Sequence, residues 1–185
     1  PGQRELNFCV HYSYDTQRSI LRDIVASLYR QGQRRMLIIN GHGGNNFKNM
    51  MRDLTLEYPD FIIATSEWFK MTDAHPFFDH VGDHADEVET SVMMHYHPEL
   101  VNIGEAGQGD SRGFGIKALN EGKVWIPRNW AKVSRDTGIG SPAKATAWKG
   151  ARFSAAVVEK YVEFLADFAR VETIDDLYEP QFHNE

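Results

Sequence analysis

At 185 residues, with 42% apolar and 25% charged side chains, the chain has the size and make-up of one soluble globular domain with a substantial core. Lys and Arg number 20 against 26 Asp and Glu, a formal charge of -6 that argues against nucleic acid or an anionic membrane as partner. One cysteine, Cys9, excludes an internal disulfide and a cysteine-based zinc site, and its apolar neighbours predict a small buried hydrophobe.

No apolar run approaches membrane-spanning length and the N-terminus has no signal-peptide stretch, so the cytoplasm is the default location. Pro1 stands where an initiator methionine would be, which predicts a processed or partial chain. Asn7 to Val10 reads as a short strand. After Asp15 or Thr16 as N-cap, Ile20, Leu21, Ile24, Val25 and Leu28 recur at helical spacing, and Gly32 marks a stop. Met36 to Ile39 is the next strand, its continuous apolar run suggesting cover on both faces.

A helix opening near Asn45 or Asn46 is expected to bury Phe47, Met50, Met51 and Leu54, after which Tyr58, Pro59 and Asp60 turn the chain into the strand Phe61 to Thr65. Strand, helix and strand in that order predict a right-handed crossover between parallel strands, and the alternation favours an α/β class. A further helix is expected from about Asp83 to His95. Residues 101–140 are glycine-rich without a sustained period, an irregular excursion. Ser141 and Pro142 then read as N-cap and first residue of a long closing helix with Phe153, Ala156, Val157, Phe164, Leu165 and Phe168 as its stripe. Neither a repeat nor a domain boundary is visible, so residues 1–185 read as a single domain.

Two constellations carry chemistry. The first is Asn40-Gly41-His42-Gly43-Gly44-Asn45, directly after a strand. Functional groups of an open α/β sheet gather beyond the carboxyl ends of its strands, and glycines let a ligand approach the backbone, so His42 reads as presented for ligation or catalysis. The second is Asp83-His84-Ala85-Asp86-Glu87-Val88-Glu89. With the helix starting at Asp83, Ala85, Val88, Glu89 and Val92 share one face, placing Glu89 in an apolar stripe where a carboxylate needs a partner, a proton or a metal. On that phase Asp86 and Glu87 fall on other faces and need no explanation.

His84, at the expected helix start, is either a hydrogen-bonding residue or a proton shuttle near neutral pH. Trp68, just past a strand end, is a packing residue or a wall of a substrate pocket. His95 and His97 fit a helix end and turn, and no H-E-x-x-H zinc helix is present. A phosphate-binding reading of the loop at 41–45 lacks both G-x-G-x-x-G and a P-loop lysine.

The blocks Asn40 to Asn45, His84-Ala85 with Glu89-Thr90-Ser91, and Gly140-Ser141-Pro142 through Ala145 and Ala147 to Lys149-Gly150 resemble, in order and interval, the creatininase family of creatinine amidohydrolase-like metal enzymes. The resemblance implies a Rossmann-like three-layer α/β/α fold with a mostly parallel sheet, here without the family's N-terminal portion. It implies a homo-oligomer, commonly a hexamer, acting on a small molecule. It also implies a divalent metal, zinc first and manganese or iron as alternatives, with His42 and Glu89 as ligands and His84 passing a proton. Trp68, Gly43, Gly44 and Asn45 would face the substrate.

The implied reaction is hydrolysis of a non-peptide C-N bond, in a cyclic amide or formamide, by hydroxide generated on the metal. Creatininase proper has tyrosine and a metal-binding glutamate where this chain has Gly43 and Gly44, which favours the broader branch of relatives over creatinine itself. Relatives also carry an upstream block with a glutamate, a histidine and an aspartate as further ligands, so a segment before Pro1 is expected. The competing reading is a non-catalytic structural or assembly protein on the same fold. Residues 104–122, with Trp125 and Trp130 beyond, are read as a lid or a subunit contact.

Overall fold

A computed structural model describes residue 3 and residues 5–179. These residues divide into two compact units, one built from residues up to His11 and Asp73–Ala156, the other from Tyr12–Thr72 and Val157 onward.

The second unit holds the sheet. Helix α1 spans Tyr14–Arg30 and starts two or three residues earlier than its sequence suggests, because Ser13 rather than Asp15 or Thr16 is the N-cap, its side chain accepting the Thr16 N-H. The expected stop holds: Gly32 has φ +85, which a residue with a Cβ adopts at a cost. The apolar stripe is narrower than its spacing implied. Leu21 and Val25 are buried, whereas Ile20 and Ile24 are exposed.

Strand β1, Arg35–Asn40, pairs in parallel with β2, Ile62–Glu67, through α2, Lys48–Glu57, which confirms the strand, helix, strand unit. Among the described residues the sheet consists of these two strands. Leu21, Val25, Met50, Leu54 and Phe61 form the core of the unit, and Met36 and Ile38 pack against it from β1. Alternate residues of a strand face opposite sides, and among the described residues the other side leaves Ile39 exposed rather than covered as its apolar run suggested. Farther along, Tyr161 and Ser66 share a hydrogen bond of 2.8 Å.

The first unit is mostly irregular. Asn7 to Val10 do not form a strand: Phe8 has φ +64, Phe8 and Val10 are exposed, and Cys9 is only half-buried among them. Helix α3, Glu87–Tyr96, begins four residues later than expected, with Asp86 as its N-cap. The excursion after it contains short helices, α4 (Lys117–Asn120) and α5 (Trp130–Val133), a 3-10 turn at Ile103–Glu105 and an antiparallel bridge between Ser111 and Ser134. The closing helix α6, Ala147–Phe168, also begins later than Ser141-Pro142 suggested. Thr146 precedes it, its hydroxyl accepting the Lys149 N-H at 3.2 Å in the manner of an N-cap. Phe153 of α6 is fully buried and meets Phe77 and Phe78 edge-on at 5.6 and 5.3 Å. Among the described residues no helix is long and apolar enough to cross a membrane.

Candidate metal centre

The glycine loop follows β1 immediately, and one buried side chain shapes it. Asn40 is 4% exposed, and its Oδ1 accepts both the His42 N-H at 3.2 Å and the Asn45 side-chain amide at 3.1 Å. Asn45 N-H closes the turn onto His42 carbonyl oxygen at 3.1 Å. Asn45 thus spends its side chain on the loop. His42 is half-buried, and its Nδ1 accepts the Gly44 N-H at 3.0 Å. A Cβ on residue 44 would stand 3.1 Å from that nitrogen, so a larger residue there would push the imidazole aside by a few tenths of an ångström. Trp68 joins the same assembly: its indole N-H donates to Gly41 carbonyl oxygen at 3.1 Å, and its ring meets Phe69 edge-on. The tryptophan is therefore anchored to the loop backbone.

In the first unit, the helix start at Asp86 changes the meaning of the acidic run. Asp86 Oδ1 accepts the Glu89 N-H at 2.9 Å, and Glu89, three residues in, reaches back so that Oε2 accepts the Ala85 N-H at 2.7 Å. This is a capping box, displaced by one residue toward the N-terminus on the return bond. Ala85 has φ +48, a left-handed backbone that costs a residue with a Cβ about 1 kcal/mol and breaks the helical phase assumed from Asp83. The face that α3 buries is Glu87, Val88 and Ser91, and Glu89 lies off it with its side chain 32% exposed. His84 Nδ1 stands 3.6 Å from the same Oε2, an electrostatic contact slightly too long for a hydrogen bond. The His84 ring meets Trp130 at 4.9 Å, and its backbone pairs antiparallel with Ile139.

Two neighbouring carboxylates are buried, the N-cap Asp86 and Glu87, the latter at 0% exposed. For Glu87, Oε2 accepts the His80 N-H at 2.8 Å, and Oε1 is ion-paired to Lys149. Lys149 also binds Asp79 at 2.6 Å. Hydrogen bonds from Lys149 and Lys144 hold the Asp79 carboxyl below its ordinary range, while Asp79 first and Glu87 second hold the Lys149 ammonium above its own. Next to the lysine, a Cβ on Gly150 would lie 2.0 Å from Ser91 carbonyl oxygen, so α6 meets α3 by backbone contact. Ser91 Oγ, itself buried, accepts the Thr146 N-H at 3.1 Å. The Lys149-Gly150 block of the sequence therefore clamps the first turn of α3, the turn that carries Glu89. No spacing in a single sequence pairs Glu87 with a lysine 62 residues away; the Asp86-x-x-Glu89 capping pattern, by contrast, is visible in the residues and locates the helix start.

The sequence model of the Creatininase family, described as creatinine amidohydrolase, matches residues 2–165. A Bacteroides fragilis NCTC 9343 protein, provisionally named a creatinine amidohydrolase, has a crystal structure 54% identical in sequence, with a TM-score of 0.90 over 97% of this chain and 70% of its own. A creatininase variant of Zn-Zn type is 21% identical, with a TM-score of 0.73 over 90% of this chain and 68% of its own, a likeness of fold. Among curated proteins, the mycofactocin precursor peptide peptidase of Mycobacterium ulcerans (strain Agy99) is 31% identical over 71% of this chain. The match spans 48% of that relative, about half its length. On this evidence the chain has an α/β fold of the creatininase type and belongs to the Creatininase family.

Proposed function

We propose that this chain serves a divalent-metal-dependent hydrolase that cleaves a C-N bond of a cyclic amide or formamide in a small molecule. The observation that carries the reading is the pairing of His84 with Glu89 on a capped, clamped helix start, in a chain of this family. In this reading His42 and Glu89 hold the cation and His84 moves a proton.

The donor chemistry fits a cation: imidazole nitrogen and carboxylate oxygen suit zinc, manganese or iron, with zinc favoured. Both His42 and Glu89 are half-buried, so a ligand exchanges water without burying a bare charge. A neutral imidazole has a single lone pair, and here Nδ1 offers it to the Gly44 N-H, so holding a cation would require the His42 ring to give up that hydrogen bond.

A divalent cation held there would supply Lewis acidity, polarising a carbonyl and making water acidic near neutral pH. The chain's own residues do the rest. His84 takes a proton from the attacking water and delivers it to the departing nitrogen as the C-O bond forms and the C-N bond breaks. The Ala85 N-H fixes Oε2 of Glu89, the oxygen that faces His84 Nδ1 at 3.6 Å, so the spacing of the two side chains is held by the backbone. Trp68, with Gly43, Gly44 and Asn45, borders the substrate, and the glycines admit it to the backbone. The working form in this reading is a homo-oligomer.

A peptide amide is the second reading, favoured by the peptidase name of the curated relative. The test offers the zinc-loaded protein creatinine, an N-formyl amine and a short peptide, with products followed by mass spectrometry. Turnover of the cyclic amide or formamide, lost in Glu89→Gln and reduced about 100-fold or more in His84→Gln, is expected. Cleavage of the peptide alone would move the assignment to the second reading, and turnover unchanged in Glu89→Gln would contradict both.

A further inference from the structure

The excursion through residues 101–140 encloses a cleft of about 640 Å³ in the first unit. Three cationic residues, Arg112, Lys132 and Arg135, line it against one carboxylate, Asp110. In a chain whose acids outnumber its bases by 26 to 20, that local excess of positive charge runs against the whole. None of the three cations joins an ion pair among the described residues, whereas Arg128 nearby is paired with Asp83.

The walls are fixed rather than loose. Ser111 and Ser134 form an antiparallel bridge, Arg112 N-H donates to Val133 carbonyl oxygen at 2.7 Å, and Ser134 Oγ bonds Gly138 carbonyl oxygen at 2.8 Å. The same strap continues to Ile139, whose N-H donates to His84 carbonyl oxygen at 2.8 Å. Trp130 lines the cleft and meets the His84 ring, so cleft and proton-transferring residue share one wall.

We infer that this cleft binds an anionic group, a carboxylate or a phosphate, of the molecule whose C-N bond is cleaved beside His84. Unpaired guanidinium groups on a rigid frame recognise such oxyanions by charge-assisted hydrogen bonds. A neutral substrate would gain nothing from this charge. That the anion belongs to the substrate rests on the hydrolase reading; that the cleft binds oxyanions does not.

Inorganic phosphate and acetate, titrated separately into the full-length protein, test it through the indole resonance of Trp130, assigned with Trp130→Phe, and through calorimetry. Saturable binding of one or both is expected, with the stronger probe naming the phosphate or carboxylate. Arg112→Ala and Arg135→Ala should each weaken it about tenfold or more, and Glu89→Gln should leave it within about twofold. Binding lost in Glu89→Gln but kept in Arg112→Ala would put the anion on the metal and overturn the inference. So would absence of saturable binding, including the case in which the arginine variants change only the sedimentation of the protein, a contact between copies.

Discussion

The glycine loop after β1 and the first turn of α3 each present a candidate ligand, and they do so by opposite means. The loop is exposed, and one buried amide, Asn40, organises it through bonds to residues two and five positions on. The helix turn is buried and is held from far along the chain, by Lys149 on Glu87 and by the backbone contact at Gly150. A local device fixes the first and a long-range one the second. The contrast separates two glutamates that stand two residues apart: Glu87 is buried against Lys149, and Glu89 is part-exposed beside His84 and is the proposed ligand.

The largest effect that would sharpen this contrast is at Glu87. Glu87→Ala leaves the Lys149 ammonium without its buried partner and should cost about 3 kcal/mol or more, read as a lower urea midpoint. Glu89→Ala loses a capping interaction instead, about 1 kcal/mol, while abolishing metal uptake. Equal losses of stability at the two positions would erase the distinction.

Next in size is Asn40→Ala, which strips acceptors from the loop and should cost about 2 kcal/mol. It should also weaken metal affinity, measured by competition with a chelating dye. Intact affinity would show that the loop holds its shape without Asn40.

A smaller effect depends on pH. The Asp79 carboxyl is depressed in the folded state by Lys149 and Lys144, so its contribution is present above its unfolded value near pH 4 and is lost as pH falls through the lower folded value. Lys149, raised by Asp79 and Glu87, contributes below its unfolded value and loses that contribution as pH rises through the higher folded one. Thermal unfolding of wild type and Asp79→Asn across acidic pH should therefore converge at the acid end, and curves that stay parallel would contradict the pairing. The smallest expected change is Ala85→Gly, which relieves the left-handed strain and should be neutral or stabilising by up to about 1 kcal/mol.

How far the sequence could be read follows the same division. The loop was legible because its determinants are local: an apolar strand ends, glycines begin, and His42 lies between them. The parallel pair β1 and β2 was legible for the same reason, from the order of periodic segments. At α3 the structure places the side chains of His84 and Glu89 3.6 Å apart, but Glu89 is not buried as its place in an apolar stripe predicted. A stripe drawn through Ala85, Val88, Glu89 and Val92 puts Glu89 in the core and Glu87 in solvent, but Ala85 lies outside α3 with a left-handed backbone, and the face that α3 buries is Glu87, Val88 and Ser91. The Asp86-x-x-Glu89 cap would have corrected the start. The partner of Glu87 lies 62 residues away on α6, and no local rule reaches that far. The cationic cleft was invisible for a related reason, since Arg112 and Arg135 come together only through turns that carry no period.

Metal content of the purified protein tests most directly the proposal that His42 and Glu89 hold one divalent ion. By plasma emission spectrometry, wild type should carry stoichiometric zinc, manganese or iron, and His42→Ala and Glu89→Gln, each shown to be folded, should each lose it. Full metal content in both folded variants would contradict the account.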